Sequence, residues 1–286
     1  MKVSVVLCVR NVEKYIDSCI RSILNQSFSD FEIVIIDDMS DDRTKNIIEK
    51  LNDKRIKCFR NEKWLGISPS RNRSVKHAAG EYLFFTDGDC TVSKNWIEEG
   101  LKYFEDADVV GVEGKIIYVS KDYKPTFSDG VQENKTGGQF MTGNVAYKKK
   151  IIEMVGGFDE SLTYLEDRDI GLRIMKHGKI YFASEMVVIH PQVIKTPKKF
   201  IEAAANDVNR VRMFKKSGIK EFILWRIYLP FNLAKILFPP LIFSSLLTKR
   251  FKNSYDFKLL PYSYIYVICE RIQLWKTSIT ERVFLI

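Results

Sequence analysis

The chain has 286 residues, of which 45% are hydrophobic and 28% charged, which excludes a disordered or fibrous protein and allows a sizeable buried core. Its formal net charge of +9 is unevenly placed: residues 1–190 hold 28 Lys plus Arg against 30 Asp plus Glu, and residues 191–286 hold 17 against 6. The basic excess belongs to the last third, where aromatics accompany long aliphatic runs, a pattern that suits an anionic membrane surface better than nucleic acid.

Cys8, Cys19, Cys58, Cys90 and Cys269 are scattered with no CxxC pair, so they read as reduced residues of a cytoplasmic protein. No basic region and cleavage site precede the first apolar run, so no signal peptide is expected.

In chain order, Val3–Val9 is a continuous β-branched run, as a strand buried on both faces requires. Val12–Asn25 has helical spacing through Ile16, Cys19, Ile20, Ile23 and Leu24. Strands are expected at Ile33–Ile36, Ile56–Phe59 and Tyr82–Thr86, and helices at Thr44–Leu51, Pro69–Ala78 and Trp96–Phe104. This alternation predicts an α/β fold, a mostly parallel sheet with helices on both faces. After a strand at Val109–Val119 the rhythm breaks into a polar stretch, Ser120–Gly138, long enough to be a functional loop. Helices Lys148–Val155 and Asp167–His177 and strands Ile180–Phe182 and Val187–Ile189 follow, and the main domain boundary is placed at Pro191.

Open parallel sheets bind ligands at the carboxyl ends of their strands, and acidic residues collect there in this chain. Asp37 and Asp38 follow Ile33–Ile36, and Asp87 and Asp89 follow the strand that starts at Tyr82. Helix capping accounts for single aspartates at such ends, but two clustered pairs repel and call for a cation or a ligand between them. Asp87-Gly88-Asp89 points alternate side chains the same way, and such oxygen ligands suit Mg²⁺ or Mn²⁺ with substrate phosphates completing the shell. No GxxxxGK[ST] or GxGxxG motif is present, which weakens ordinary NTPase and dinucleotide readings.

Several segments in a fixed order now spell a resemblance: VSVVLCVRN (Val3–Asn11), SILNQSFSDF (Ser22–Phe31), IVIIDDMSDD, SPSRNRSVKHAAGEYLFFTDGDC, TGNVAYKKKIIEMVGGFDE (Thr142–Glu160), EDRDIGLRI (Glu166–Ile174) and VVIH (Val187–His190). Over roughly residues 3–190 the chain resembles family 2 glycosyltransferases, which have the GT-A fold. The resemblance implies a catalytic domain over 1–190, with a donor half of about 1–115 and an acceptor half of about 116–190. It implies inverting transfer of a sugar from a nucleotide-diphosphate sugar to an acceptor hydroxyl. Cys8, Asn11, Asp37, Asp38, Arg71, Asp87 and Gly88 would then contact the donor, and Asp89, Asp87 and His190 would hold Mn²⁺ or Mg²⁺. Asp167 would be the general base, with Glu166 beside it helping to place the acceptor. The chain departs from the family pattern at Cys8, where a hydroxyl residue is frequent, and at Cys90, where many relatives carry a third acid. No Gln-x-x-Arg-Trp follows the base, so one transfer per encounter is expected. A sugar-phosphate nucleotidyltransferase and a catalytically silent nucleotide-sugar-binding scaffold stay open as alternatives.

Residues 191–286 read as a basic, aromatic helical tail. Phe222–Leu247 is apolar but broken by Arg226, Lys235 and three prolines, and Leu259–Cys269 adds Tyr262, Tyr264 and Tyr266. The pattern fits a segment lying in the cytoplasmic face of a membrane, beside a lipid-linked or other glycan acceptor, rather than one crossing it.

Overall fold

The computed structural model describes residues 2–119, 134–191, 196–202, 208–217 and 255–282. The chain divides into two compact units, the first made of Met1–Val119 with Glu133–Gln192. Most of the expected loop between Ser120 and Gly138, and all of Phe222–Leu247, lie outside the described residues.

The first unit is an α/β fold on one eight-stranded sheet, in the order β3 (Ile56–Arg60), β2 (Phe31–Asp37), β1 (Val3–Val9), β4 (Tyr82–Phe85), β7 (Val145–Lys148), β6 (Val109–Val119), β8 (Lys179–Pro191), β5 (Thr91–Val92). Its core strands are β1 (Val3–Val9) and β2 (Phe31–Asp37), both nearly continuous in buried apolar residues. β1 pairs in parallel with β2 and with β4 (Tyr82–Phe85), and β3 (Ile56–Arg60) extends the parallel region beyond β2. All four strands therefore end on one edge. Helix α1 (Ile16–Leu24) covers this region by burying Ile16, Cys19, Ile20 and Ile23, one face at the i, i+3, i+4, i+7 spacing. It starts later than the sequence pattern, because Val12–Tyr15 forms a tight turn first, with the Tyr15 and Ile16 N–H groups both donating to Val12 O. Helices α2 (Thr44–Lys50), α3 (Ile67–His77) and α4 (Trp96–Leu101) follow their strands as expected.

Three differences from the expected elements concern the second half of the sheet. The sheet is mixed rather than mostly parallel. A strand that the sequence reading absorbs into its surroundings, β7 (Val145–Lys148), inserts between β4 and β6 (Val109–Val119) and is antiparallel to both. A two-residue strand, β5 (Thr91–Val92), pairs antiparallel with the far end of β8. The two short strands expected after residue 179 are one strand, β8 (Lys179–Pro191), parallel to β6, with an irregularity that sets Ala183 and Val187 opposite the consecutive Gly114 and Lys115. β6 runs unbroken through residue 115, so residues on both sides of that expected division contribute to one sheet. Between β7 and β8 come α5 (Lys149–Met154) and α6 (Glu166–Ile174).

The second unit carries the described helices α7 (Pro197–Glu202), α8 (Val208–Ser217) and α9 (Tyr255–Thr280). Glu281, just past α9, pairs with Arg212 and Lys215 of α8 at 3.3 and 2.9 Å. Among the described residues, no helix is long and apolar enough to cross a membrane.

Candidate active site

The parallel strands deliver their acidic residues to one edge, but the two pairs meet different surroundings. Asp37 has no exposed surface. One of its oxygens accepts the Ser40 N–H at 2.9 Å and the other takes the Arg60 guanidinium at 2.8 Å. Asp38, also buried, accepts Asn61 Nδ2 at 2.7 Å and the Leu65 N–H at 2.9 Å on one oxygen, and the Gly66 N–H at 2.9 Å on the other. Gly66 has φ +91°, a conformation that L side chains rarely adopt, so glycine is what lets its N–H turn toward Asp38. The β2 aspartates thus pin the segment 61–66 onto the strand end. Asn11, expected near the donor, accepts the Asp41 N–H at 2.9 Å and clasps the loop after β1 to the loop after β2, at φ +55°.

What the pinned segment presents is a cavity of about 320 Å³ lined by Cys8, Arg10, Asp38, Trp64 and Leu65, together with the start of α3. Trp64 is 65% exposed, and the Arg10 guanidinium lies 4.9 Å from its ring centre. Asn61 and Trp64 are not marked in the sequence, because no local pattern singles out the turn after a short strand, and neither is Arg10, whose partner Trp64 is distant along the chain. The Cys8 thiol is pushed up to about 12 by burial, so it offers a neutral wall. A larger depression of about 550 Å³, lined by Lys2, Tyr82, Leu101 and Phe104, sits at the opposite ends of β1 and β4, away from the clustered acids.

At the end of β4 the chain turns tightly, with the Cys90 N–H donating to Asp87 O at 3.0 Å. A Cβ at Gly88 would stand 2.6 Å from Val9 Cγ1, so glycine lets this turn pack on the end of β1. Asp87 and Asp89 point to the same side. β5 then pairs Thr91 with Ile189, and this two-residue ladder brings His190 beside Asp89, with His190 Nε2 3.6 Å from Asp89 Oδ1. Tyr118, opposite His190 in the β6–β8 register, stacks on the imidazole with ring centres 4.8 Å apart. His190 Nδ1 lies 2.8 Å from Pro191 O. A carbonyl only accepts, so that contact needs a proton on Nδ1, and it leaves Nε2 as the ring atom that faces the carboxylate. Oxygens of Asp87 and Asp89 and a ring nitrogen of His190 lie within 4.8 Å of one another, a donor set that suits a cation, and a hydrogen-bonded far nitrogen is the usual support of a metal-bound imidazole. Burial raises the Asp89 carboxyl above its ordinary value, with His190 opposing and Asp87 adding to the shift. These residues fit a divalent cation.

The third group comes from α6. Leu165, at its entry, has φ +66°, unusual for a branched residue, and Glu166 and Asp167 open the helix. Glu166 is buried and takes the Arg71 guanidinium at 2.5 Å; a second nitrogen of Arg71 lies 3.9 Å from Asp87 Oδ1. Burial alone would lower the Arg71 pKa, but Glu166 and Asp87 together raise it, so the buried guanidinium stays charged. Arg71 therefore ties the α6 carboxylates to the β4 carboxylates. Asp167 is half-buried and its carboxyl is pushed up to about 7 by burial and by Glu166, against Arg71, which lowers it. The loop before β7 closes beside the site: Thr86 Oγ1 donates to Gly143 O at 3.0 Å, and buried Glu113 accepts the N–H groups of Gly138, Gln139 and Phe140 at 2.7, 3.0 and 2.7 Å.

An eight-stranded mixed sheet with two carboxylates after β4, a histidine on β8 and a carboxylate pair opening α6 defines a GT-A-like α/β protein. The family model for glycosyl transferase family 2 matches residues 4–157, more than half of the chain, and the chain belongs to that family. The chain is 30% identical over 175 residues to an Escherichia coli UDP-Glc:alpha-D-GlcNAc-diphosphoundecaprenol beta-1,3-glucosyltransferase, WfaP, covering 59% of this chain and 68% of the relative. An uncharacterized glycosyltransferase of Haemophilus influenzae is 36% identical over 119 residues, covering 41% of this chain and 37% of the relative's own length. The fold is similar to that of the mannosyltransferase PcManGT from Pyrobaculum calidifontis, solved with GDP-Man and Mn²⁺, with a TM-score of 0.68 at 16% identity over 96% of this chain and 87% of that one. It is also similar to S. aureus TarS in complex with UDP-GlcNAc, with a TM-score of 0.59 at 20% identity over 99% of this chain and 92% of that one.

Proposed function

We propose that the chain is an inverting glycosyltransferase that moves a sugar from a nucleotide-diphosphate sugar to an acceptor hydroxyl. The observation that carries this reading is the position of Arg71, which holds Glu166 at 2.5 Å and reaches toward Asp87 at 3.9 Å. It ties the start of α6, where Asp167 has its carboxyl pushed up to about 7 by burial and by Glu166, to the β4 carboxylates that suit a cation.

In this reading the cavity beside Cys8, Asp38 and Trp64 takes the nucleoside, with the exposed indole offering a face to the base. Asp38 acts through the segment it pins as much as by contact, and Asp37 and Asn11 act through the loops they hold. Asp87, Asp89 and His190 would hold Mn²⁺ or Mg²⁺, which when bound offsets the charge growing on the departing diphosphate. Arg71, charged and buried, holds Glu166 in place and adds positive potential on the same side. Asp167 accepts the acceptor's hydroxyl proton as the new O–C1 bond forms and the C1–O bond to the diphosphate breaks. Asp167 is the one carboxylate here pushed up to about 7, where a base is strong enough to accept a proton and still ionised.

The tail supplies the second half of the proposal, attachment to the cytoplasmic face of a membrane and a lipid-linked or other glycan acceptor. On α9 the exposed Ile265, Ile272, Trp275 and Ile279 recur at spacings of seven, three and four, which puts them on one face. Together with the basic excess of residues 191–286, this supports a segment lying in an anionic lipid surface. The WfaP relative is named for a diphosphoundecaprenol acceptor.

The test is a panel of nucleotide sugars with Mn²⁺, read by thermal shift and by transfer to short glycan acceptors, with and without anionic vesicles. One donor is expected to raise the melting temperature and to yield a nucleoside diphosphate. Pyrophosphate released from an NTP and a sugar phosphate would replace this reading with a nucleotidyltransferase.

A further inference from the structure

Beneath the two β4 carboxylates lies a side chain that the reading above leaves unused. Cys90 follows Asp89, has no exposed surface, and its Sγ lies 3.7 Å from Asp89 Oδ1. One oxygen each of Asp87 and Asp89, the Cys90 sulfur and a ring nitrogen of His190 all fall within 4.8 Å of one another. Around a tetrahedral ion with oxygen and nitrogen at about 2.0–2.1 Å and sulfur at about 2.3 Å, ligand atoms stand about 3.3–3.6 Å apart. The His190–Asp89 and Cys90–Asp89 separations, 3.6 and 3.7 Å, are close to two edges of that polyhedron. An observation independent of the cysteine points the same way. His190 Nδ1 is engaged by Pro191 O and its ring is held by Tyr118, which keeps Nε2 at the cluster, 3.6 Å from Asp89 Oδ1.

We propose that Cys90 is a fourth ligand of this site, which gives it a second, closed state for a borderline or soft cation, Zn²⁺ or Cd²⁺. The inference rests on the metal reading of Asp87, Asp89 and His190 given above. A hard ion such as Mg²⁺ gains little from sulfur and keeps open positions filled by water or phosphate oxygens. A thiophilic ion engages all four side chains as an O,O,N,S set, and a four-coordinate site filled by protein has no place for a diphosphate oxygen. As the sulfur–metal bond forms, the thiol proton leaves to solvent, and no electron changes hands. Zinc is therefore expected to exclude the donor, and the balance of Zn²⁺ against Mn²⁺ sets the fraction of open chains.

The experiment is a Cd²⁺ titration of the full chain, followed by its near-ultraviolet sulfur-to-cadmium charge-transfer band. It is run on the native protein, on Cys58→Ser, which removes the exposed thiol, and on Cys90→Ser, with Mn²⁺ binding followed separately by electron paramagnetic resonance. The band is expected to saturate at one equivalent in the first two and to be absent from Cys90→Ser. That variant should keep Mn²⁺ affinity within about threefold while losing about tenfold or more in Zn²⁺ affinity. A band of full intensity in Cys90→Ser overturns the proposal. Binding of Cd²⁺ and Mn²⁺ to the native chain with no band also overturns it, while leaving the metal reading intact. Failure of every ion to bind overturns both. Should Cys90→Ser not fold, X-ray absorption at the zinc edge of the native chain decides. One sulfur at about 2.3 Å supports the thiolate ligand, and a shell of oxygen and nitrogen alone rules it out.

Discussion

Two strand ends of one sheet each carry a pair of aspartates, and they are put to opposite uses. After β2, Asp37 and Asp38 are buried and their oxygens are filled by an arginine, an asparagine and three backbone N–H groups. After β4, Asp89 has as neighbours a thiol at 3.7 Å, an imidazole at 3.6 Å and its own N–H, and Asp87 has Arg71 no nearer than 3.9 Å. Carboxylates filled with donors hold a scaffold rigid. Carboxylates set among weak partners keep coordination capacity for something that arrives. The first pair shapes the cavity beside Cys8 and Trp64, which the proposed function gives to the nucleoside, and the second is where that proposal puts the metal.

That contrast can be broken or sharpened by substitution, and the largest effect belongs to neither pair but to Asp167, the proposed base. Asp167→Asn should cut turnover by about 10³-fold with donor affinity kept, measured by initial rates alongside calorimetric donor binding. Unchanged turnover with lost donor affinity would make Asp167 a binding residue. Stability should move the other way. The native state holds the Asp167 proton more tightly than the unfolded chain does, so this group's contribution is present at low pH and lost as pH rises from about 4 toward about 7. At pH 8 Asp167→Asn should therefore melt about 2 °C higher than the native chain, read by differential scanning fluorimetry.

Next in size is the β4 pair. Asp89→Asn should lower transfer by about 100-fold or more and remove its dependence on a divalent ion while the fold stays intact. Full activity of this variant in the presence of a chelator would contradict the metal assignment. By contrast, Asp37→Asn should act on stability first. It leaves Arg60, which is 36% exposed, without its counter-charge, a loss of about 2 kcal/mol after allowance for solvent screening, or about 5 °C in Tm. If Asp37→Asn instead abolished ion binding at unchanged Tm, the two pairs would not differ as described.

The smallest effect concerns pH. With its base at about 7, the enzyme's kcat/KM should fall about tenfold per unit below that value and level off above it, and Asp167→Glu should shift the profile more than Asp38→Asn does. A profile flat from pH 5 to pH 8 would remove Asp167 from the role of base.

How much of this the sequence discloses depends on how far apart the interacting residues lie. β1 and β2 are legible because each carries a nearly continuous apolar run, and β6 because β-branched residues recur along it on both sides of Glu113 and Lys115. The Asp-Gly-Asp and Glu-Asp pairs are legible as motifs. β5 is not, because two residues, Thr91 and Val92, carry no period, yet their pairing with Val188 and Ile189 is what brings His190 to Asp89. β7 is hidden because Val145–Lys148 runs straight into the helix that begins at Lys149. The same limit hides the difference between the two aspartate pairs. The partners of Asp37 and Asp38 at Arg60, Asn61, Leu65 and Gly66 lie 23 to 28 residues downstream, and only the folded chain shows those donors arriving. The sulfur under the β4 carboxylates is likewise an ordinary buried cysteine until the turn after Asp87 places it.

The central claim, that one aspartate pair is structural and the other binds a metal, is tested most directly by titrating Mn²⁺ into three proteins and following the free-ion signal by electron paramagnetic resonance. The native chain and Asp37→Asn, its fold checked by circular dichroism, should each take up one equivalent, and Asp89→Asn should take up none at the same concentrations. Uptake by Asp89→Asn equal to that of the native chain, or its loss from a folded Asp37→Asn, would contradict the account.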